Sequence, residues 1–554
     1  MQHWRVNLIL ALIFFCAAII LRQLVVLQII NHDLYAALAQ GQQKTLVSTQ
    51  GDRGKIFFQN HDLPVATTQV FVSAYLSPKE IPAEERSETV QILSEVLNLD
   101  KASLMAEAGK DSLYELIKKR LSQEELDSLQ AKKLTGLHFS EERVRYYPYG
   151  DFASHLLGFV NEQGQGQYGL EEYFNALLQG KEKLLQGEKG PLGYLFSLGE
   201  GLADSSGSDL TLTVDYHIQY LAEKLLKQAR TDLKIEGGDI IVMEPASGKI
   251  LALANFPNFN PNEYFQEKDF QVFQNDAIQK IFEPGSVFKP ITMAAALDKG
   301  KITPQTTYFD QGCLNISTYR VCNYEGRTYP GELTMTNVLE KSINTGAVFA
   351  ERQVGDKSFL DYVEKFGIFE KTGVDLAGEI SPLNTEFKQG REINFATASF
   401  GQGIEMTPLQ LVRAFAAIAN GGKLVKPYLL TTNEPEISDN VISAQTASKL
   451  TTMLVSVVEN GFGKAAAIPG YYIAGKTGTA QISFAALGMD KRGYSDKTWQ
   501  SFIGFAPAFD PRFLILVKLD NPATKTAEYS AVPLFQTLAK YIIDYEQIPP
   551  DHVQ

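Results

Sequence analysis

The sequence predicts an α+β protein in which an antiparallel sheet lies between helical layers, preceded by a smaller domain and one transmembrane helix. From residue 209 onward, short β-rich runs such as 240–243 and 513–517 alternate with apolar helical patterns, as expected of helices packed on a sheet. A Gly/Ser-rich stretch at 199–208 precedes this region and indicates a joint. At 554 residues the chain has room for more than one domain.

The first predicted element is a membrane helix over residues 6–30, after a short tail of residues 1–5. Residues 6–21 are apolar except for Asn7, and an apolar run resumes after Arg22 and Gln23. The first run alone would extend about 24 Å, short of a hydrocarbon core of about 30 Å, so we expect the span to continue past Arg22, whose side chain can snorkel outward. A cleaved signal peptide is the alternative, since Ala37-Leu38-Ala39 is similar to a cleavage site beyond the apolar run.

The second predicted element is a pedestal domain over residues 45–205, and the third is the main α+β domain over 209–545. The pedestal mixes short strand-like runs with helical patterns such as 84–97 and contains no constellation of catalytic side chains. Every motif with chemical meaning falls in the third element. We therefore expect the pedestal to be non-catalytic.

Composition excludes several classes of function. The net charge of −13 and the isoelectric point near 5.2 argue against a nucleic-acid partner. The seven histidines are scattered and lie outside the motifs, so neither a metal site nor a cofactor is expected. Of three cysteines, Cys16 lies in the span, while Cys313 and Cys322 flank a short segment and form either a hairpin-closing disulfide or two buried thiols.

The strongest chemical signal is Ser286 followed three residues later by Lys289. Pro284 and Gly285 precede an apolar helical run, and residues three apart share a helix face, so the lysine amine is expected beside the serine hydroxyl. A serine needs an adjacent base to become a good nucleophile, and lysine serves only when burial or another cation depresses its pKa. The pattern predicts acyl transfer through Ser286, although a bare Ser-x-x-Lys is more often a helix start and a surface lysine.

Two Ser-x-Asn sequences compete for the second part of such a site. Ser342 and Asn344 stand where an amphipathic helical pattern gives way to a turn, so both side chains can face a cleft. There Ser342 would relay a proton to the leaving amine, and Asn344 would orient the substrate amide and Lys289. Ser438-Asp439-Asn440 matches the literal motif but lies in a polar segment predicted to be a loop, and we interpret it as a decoy.

Lys-Thr-Gly also occurs twice, at 371–373 and at 476–478. The first copy follows a helix end and enters a predicted loop, whereas the second continues into Thr479 in a predicted strand. A strand edge can bind an extended peptide, Gly478 permits close approach, and Lys476 and Thr477 can bind a terminal carboxylate. The Thr479 N–H would join the Ser286 N–H in an oxyanion hole. The second copy is therefore assigned to the site.

Further motifs extend over nearly all the chain beyond residue 45 and carry a family resemblance. They are Asp52-Arg53-Gly54-Lys55-Ile56, Arg145-Tyr146-Tyr147-Pro148, Gly166-Gln167-Tyr168-Gly169-Leu170-Glu171, Leu210-Thr211-Leu212-Thr213-Val214-Asp215, Glu244-Pro245-Ala246-Ser247-Gly248-Lys249 and Phe400-Gly401-Gln402-Gly403. With the three site motifs, they make the chain resemble the class B penicillin-binding proteins, membrane-anchored D,D-transpeptidases that crosslink peptidoglycan. The segment 281–286 is more similar to division-type than to elongation-type members.

The resemblance implies a penicillin-binding/β-lactamase-like transpeptidase domain at 209–545 on a dimerisation-like pedestal. It implies that Ser286 attacks D-Ala-D-Ala stem peptides and that penicillins acylate the same serine. It also implies a single-pass protein of the bacterial cytoplasmic membrane, with everything after the span on the outer side. The implied partners are peptidoglycan stem peptides, β-lactams, a multi-spanning lipid II polymerase and other division or elongation proteins.

The sequence leaves two alternatives open. A membrane-anchored β-lactamase or penicillin sensor would share the fold, and Glu379, in the segment 378–384, loosely resembles a deacylating glutamate. A pedestal has no evident use in such an enzyme, however. The other alternative is a non-catalytic cell-wall scaffold, against which the intact motifs argue. Fast penicillin turnover would support the first alternative, and absence of acylation the second.

Overall fold

The structure is a computed structural model of the chain and describes residues 3–26, 29, 44–60, 62–189, 195–198 and 206–552. It forms two compact units, Met1–Gly54 with Gln179–Ser208, and Lys55–Leu178 with Asp209–Gln554. Residues 27, 28 and 30 of the predicted span, the sequence Ala37-Leu38-Ala39 and residues 199–205 of the predicted joint lie outside the described residues.

The strands of the described residues are β1 (Lys44–Gln50), β2 (Ile56–Gln59), β3 (Thr67–Leu76), β4 (Glu115–Lys118), β5 (Leu137–Tyr146), β6 (Phe159–Val160), β7 (Gly166–Gln167), β8 (Glu182–Lys189), β9 (Leu195–Leu198), β10 (Leu210–Asp215), β11 (Gly237–Met243), β12 (Ile250–Phe256), β13 (Thr307–Phe309), β14 (Cys313–Ile316), β15 (Tyr319–Cys322), β16 (Glu332–Thr334), β17 (Lys423–Val425), β18 (Ile437–Asn440), β19 (Ala474–Ser483), β20 (Tyr494–Ala506) and β21 (Phe513–Asp520).

The α-helices are α1 (His3–Val25), α2 (Arg86–Leu97), α3 (Lys101–Ala108), α4 (Gln123–Lys132), α5 (Ser154–Leu157), α6 (Gly169–Tyr173), α7 (Asn175–Leu178), α8 (Tyr216–Asp232), α9 (Asp276–Gln279), α10 (Lys289–Asp298), α11 (Met335–Glu340), α12 (Asn344–Val354), α13 (Asp356–Lys365), α14 (Thr385–Lys388), α15 (Glu392–Ala398), α16 (Pro408–Ala419), α17 (Ala444–Asn460) and α18 (Ala531–Tyr545). Short 3-10 helices occupy Pro78–Glu80, Pro261–Gln266, Phe270–Phe273, Gly285–Phe288, Tyr324–Gly326, Lys464–Ala466 and Ala527–Tyr529.

The first unit contains helix α1 and a small sheet. Within α1, the 18 residues Leu8–Val25 are long and apolar enough to cross a membrane, and most of their side chains are exposed apolar groups. Strands β1, β8 and β9 form an antiparallel sheet in that order. Among the described residues, one candidate membrane helix, as predicted, therefore precedes the first strand.

The second unit is organised around a five-stranded antiparallel sheet in the order β12-β11-β21-β20-β19. Successive strand residues point to opposite faces, so Ile240 and Val242 pack with α8 and α18, while Ile241 and Met243 pack in the cluster that contains α10 and α16. The predicted sheet between helical layers is confirmed. Strand β19, which carries the second Lys-Thr-Gly, lies at one edge.

Local sequence accounts for several helix starts around this sheet. Asp215 ends β10 and caps α8 by accepting hydrogen bonds from the N–H groups of His217 and Ile218 at 2.8 and 3.0 Å. Thr407 and Gln410 form a capping box that starts α16, with Pro408 in its first turn. These signals fix the starts of the helices that cover the two faces.

Part of the predicted pedestal shares a core with the main domain. Ile56, Phe58 and Leu170 belong to the same buried cluster as Phe259 and Phe288. A separate cluster around Leu93 and Leu104 covers the three-stranded sheet β4-β3-β5. The predicted pedestal, residues 45–205, is thus distributed over both compact units, and its division from the main domain at 205–209 stays a prediction.

Candidate active site

Ser286 lies in a short 3-10 helix that leads directly into an α-helix. Gly285–Phe288 is the 3-10 segment, α10 begins at Lys289, and Pro290 falls in its first turn, as predicted. Gly285 has φ +60°, and a Cβ added there would lie 2.8 Å from the Ala480 Cβ on β19. Glycine is therefore required both by the backbone conformation and by the close approach of the strand.

Lys289 is completely buried and points at the serine. Its Nζ lies 2.9 Å from Ser286 Oγ, 2.6 Å from the Ser342 carbonyl oxygen and 3.1 Å from Ser342 Oγ. Burial, and then the nearby charge of Lys476, hold the pKa of the Lys289 amine well below its usual range. Both effects disfavour the ammonium form, so the amine can accept a proton.

Ser342 lies in the turn between α11 and α12. Its φ is +53°, a left-handed conformation that strains a residue with a Cβ. This conformation aims both its carbonyl and its hydroxyl at Lys289, and Lys476 Nζ donates to the same hydroxyl at 2.9 Å. The hydroxyl therefore bridges the two lysines.

Asn344 begins α12 and faces a disulfide hairpin. Its Nδ2 donates to the Cys322 carbonyl oxygen at 2.9 Å. Cys322 forms a disulfide with Cys313 across the antiparallel strands β14 and β15. Of the two alternatives that the sequence left open, the structure therefore has the disulfide rather than two buried thiols. The hydrogen bonds described for Lys289 go to Ser286 and Ser342, so the expected contact of Asn344 with Lys289 does not occur among them.

Lys476 lies on β19 and is also completely buried. Its Nζ donates to Ser342 Oγ at 2.9 Å, to the Thr477 carbonyl oxygen at 3.1 Å and to Thr477 Oγ1 at 3.3 Å. Burial lowers the pKa of Lys476 to about 7. At neutral pH the amine is therefore divided between its charged and neutral forms.

Gly478 and Thr479 continue the same strand beside the serine turn. A Cβ on Gly478 would lie 2.5 Å from Ser501 Oγ and 2.9 Å from the Val287 side chain, so glycine here lets the strand meet the helix that carries Ser286. Thr479 Oγ1 accepts a hydrogen bond from the Ala527 N–H at 3.2 Å. This bond attaches the segment after β21 to the strand.

These groups border one cleft of about 1180 Å³. The sequence-predicted residues Ser286, Ser342, Asn344, Thr477 and Thr479 line it, while the two buried lysines lie behind them. Charged groups of both signs complete the wall: Glu325, Arg327, Lys341, Asp496, Lys525 and Glu528. The cleft thus offers both charged and hydrogen-bonding groups to a ligand.

The two competing motifs lie elsewhere. Ser438-Asp439-Asn440 forms part of β18, an exposed strand paired with β17, rather than the loop predicted. Pairing with β17, the preceding strand, overrides the polar local sequence. In the first Lys-Thr-Gly, the Glu379 carboxylate accepts hydrogen bonds from Thr372 N, Thr372 Oγ1 and Gly373 N at 2.6, 2.5 and 3.0 Å. This glutamate therefore stabilises its own loop.

Two parts of the site were missed in the sequence. The segment after β21 supplies one wall of the cleft, from Asn521 to Tyr529, and a polar run with Pro522 directly after a predicted strand was the available signal. The second is Glu283, whose carboxylate accepts from Tyr494 Oη at 3.2 and 3.0 Å, 211 residues away. A pair so distant in sequence has no local signature.

The chain is similar to known proteins over most of its length. The penicillin-binding protein transpeptidase domain matches residues 238–540, and the penicillin-binding protein dimerisation domain matches residues 48–212. The chain belongs to the class B penicillin-binding proteins. Stage V sporulation protein D of Bacillus subtilis is 31% identical over 89% of this chain and 78% of its own length.

The relatives of this penicillin-binding protein place it with the division-type, FtsI-like members. Peptidoglycan D,D-transpeptidase FtsI of Escherichia coli K12 is 30% identical over 99% of this chain and 93% of its own length. The structure of penicillin-binding protein 3 of Mycobacterium tuberculosis complexed with aztreonam superimposes with a TM-score of 0.68 at 26% identity, covering 91% of this chain and 98% of that one.

Proposed function

We propose that this penicillin-binding protein crosslinks peptidoglycan as a serine D,D-transpeptidase, with Ser286 as nucleophile and Lys289 as its base. The observation that carries the proposal is the 2.9 Å distance from the buried Lys289 amine to Ser286 Oγ. A lysine deprived of solvent and placed near a second cation is available as a neutral base. FtsI of Escherichia coli, which is similar to 99% of this chain, is named a peptidoglycan D,D-transpeptidase.

In the acylation step, Ser286 Oγ bonds to the carbonyl carbon of the penultimate D-Ala, and its proton passes to Lys289. The bond to the terminal D-Ala nitrogen breaks, and that nitrogen takes up a proton through the Ser342 hydroxyl, which bridges both lysines. The N–H groups of Ser286 and Thr479 stabilise the oxyanion.

Substrate binding falls to the second Lys-Thr-Gly and to Asn344. Lys476 and Thr477 hold the terminal carboxylate. Gly478 keeps the strand against the serine turn. Asn344 orients the substrate amide, while its own side-chain amide is fixed by its hydrogen bond to the Cys322 carbonyl oxygen. An amine of a neighbouring stem peptide then attacks the acyl carbon, the ester bond breaks, and the proton from that amine returns through Lys289 to Ser286 Oγ.

Penicillins carry a carboxylate beside a reactive amide and therefore fit the same groups. We propose that they acylate Ser286 and that the resulting acyl group is hydrolysed slowly. The β-lactamase alternative loses its supporting residue, because the Glu379 carboxylate is already hydrogen-bonded by Thr372 and Gly373. Among the described residues, Glu379 is also not one of those that line the cleft of Ser286.

We also propose that the segment 6–30 anchors the chain in the cytoplasmic membrane and that the rest lies on the outer side. The Cys313–Cys322 disulfide supports this orientation, since disulfides persist in oxidising compartments. The span and the pedestal, residues 45–205, would then contact a multi-spanning lipid II polymerase and other division or elongation proteins. Protease applied to intact spheroplasts should digest the protein from outside, and full protection would contradict this orientation.

The central test is covalent labelling of the full-length protein in detergent with a fluorescent penicillin, following both formation and decay of the label. Stable labelling of the wild type that is lost in Ser286→Ala and retained in Ser438→Ala supports the proposal. Rapid decay indicates a β-lactamase, and an unlabelled wild type indicates a scaffold.

A sharper test isolates the Ser342 hydroxyl. Ser342→Gly keeps the left-handed backbone and the carbonyl that accepts from Lys289, because glycine adopts this conformation readily. We expect acylation to slow by roughly 100- to 10,000-fold, the usual contribution of a proton-transfer group. A rate close to that of the wild type would remove Ser342 from the mechanism.

A further inference from the structure

Glu283 is a buried carboxylate three residues before Ser286. It is 8% exposed, and among the described residues it has no salt bridge. Burial raises the pKa of its side chain to about 7. Burying an ionisable group without a cation is unfavourable, so the position calls for a reason beyond packing.

The partners of Glu283 belong to two separate parts of the chain. Tyr494 Oη donates to both carboxylate oxygens, at 3.2 and 3.0 Å, and the Gly403 N–H donates as well. Tyr494 is the first residue of β20, which pairs along its length with β19, the strand of the second Lys-Thr-Gly. The carboxylate thus joins three segments that border the cleft.

The backbone around Glu283 is held by the same neighbours. Phe282 and Met406 exchange N–H to carbonyl hydrogen bonds of 2.9 and 3.1 Å, and the Gly285 N–H donates to the Gly401 carbonyl at 2.9 Å. Glu283 lies between these backbone hydrogen bonds. Among the described residues, its side chain is the one that accepts a hydrogen bond from Tyr494 of β20. Its loss would remove this polar link to β20 and leave apolar contacts, such as that of Phe282 with Trp499, to hold the turn.

We propose that Glu283 is a positioning residue for acyl transfer, which ties the turn that carries Ser286 to the hairpin that carries Lys476-Thr477-Gly478. The inference rests on the proposed function, because it concerns how Ser286 Oγ is set against Lys289 and the bound carbonyl. A displacement of about 1 Å at a reacting atom can slow a reaction roughly 100-fold. Glu283 touches no substrate in this role and acts through the backbone.

The test measures acylation of the full-length protein by the fluorescent penicillin as a function of probe concentration. The saturating rate constant reports alignment, and the half-saturating concentration reports binding. We expect Glu283→Leu and Tyr494→Phe each to lower the saturating rate constant about ten- to 100-fold with little change in half-saturation. The double variant should be no slower than the slower single variant, because both remove the same link.

Two further variants separate positioning from general stability. Glu283→Gln keeps an acceptor for Tyr494 and Gly403 and should restore most of the rate. Tyr220→Phe removes the hydroxyl of an exposed tyrosine on α8 and should change nothing. If Glu283→Leu fails to fold, Tyr494→Phe still decides, since Tyr494 is 38% exposed and the change removes only one hydroxyl.

The outcomes distinguish this inference from the proposed function. If Ser286→Ala abolishes labelling and the folded Glu283→Leu and Tyr494→Phe variants acylate at the wild-type rate, the positioning role is wrong and the serine mechanism stands. If both variants lower the melting temperature but not the saturating rate constant, Glu283 is merely structural. If the wild type is not labelled, the proposed function fails and this inference fails with it.

Discussion

The chain contains Lys-Thr-Gly twice, and the two copies have opposite environments. In the first, Lys371 is exposed, and Thr372 is buried against the Glu379 carboxylate. In the second, Lys476 is completely buried on an edge strand and donates to Ser342 Oγ. The same tripeptide thus forms part of a loop in one place and borders the cleft in the other. Its role is therefore set by the elements packed around it.

The contrast is greatest at the lysine. The Lys371 side chain keeps its solvation, and its carbonyl accepts a hydrogen bond from Arg413. Burial lowers the pKa of Lys476 to about 7, because desolvation penalises the charged form. A perturbed lysine at the edge of a cleft is typical of a functional site.

Removing each lysine in turn tests the comparison most strongly. We expect Lys476→Ala to lower the efficiency of penicillin acylation by roughly two orders of magnitude or more, because losing one partner of a desolvated charge pair costs about 2–5 kcal/mol. Lys371→Ala, the matched control, should acylate like the wild type. The second-order rate constant of labelling measures both effects. Equal losses of this rate constant in the two variants would show that the two Lys-Thr-Gly copies do not differ in their contribution to acylation.

The pH dependence of acylation sharpens the role of Lys476. Its lowered pKa means that it loses its charge, and its attraction for the probe carboxylate, as the pH rises through about 7. Lys289, in contrast, must be neutral to accept the proton from Ser286, and its pKa is also lowered. The second-order labelling rate, which reports the free protein, should therefore fall on the alkaline side of about 7. A rate that keeps rising into alkaline solution would contradict this role.

The first copy should matter for stability instead. Glu379→Ala leaves the N–H and hydroxyl of Thr372 and the N–H of Gly373 without their acceptor, which we expect to lower the free energy of unfolding by about 1–3 kcal/mol. Glu379→Gln, which keeps an acceptor, should lose less. Denaturant unfolding measures this difference. The lifetime of the penicillin label should not change, and a longer lifetime would return Glu379 to a role in deacylation.

The smallest effect is expected at the other repeated motif. Ser438 lies on the exposed strand β18, and its hydroxyl donates to the neighbouring Asp439 carbonyl. Ser438→Ala should change stability by no more than about 0.5 kcal/mol, as surface substitutions usually do, and should leave labelling intact. Loss of labelling here would show that the wrong Ser-x-Asn had been assigned to the site.

Much of the fold was predictable because local patterns encode it. The helix beginning near Lys289 followed from its apolar run, helix α2 from the pattern at 84–97, and β11 from the run 240–243. The segment 437–440 was predicted wrongly, since it forms a strand by pairing with β17, the strand that precedes it in the chain. Polar composition alone does not report such pairing.

The sequence by itself determined that Ser286 and Lys289 share one helical face, that the second Lys-Thr-Gly enters a strand, and that an antiparallel sheet supports both. The spacing of three residues on a helix face and the alternation of side chains along a strand are local properties, so they can be recognised in the sequence. Only the tertiary structure decided that Ser342 bridges Lys289 and Lys476, and that Glu283 meets Tyr494. Those contacts join segments far apart in the chain, and the packing of whole elements brings them within hydrogen-bonding distance.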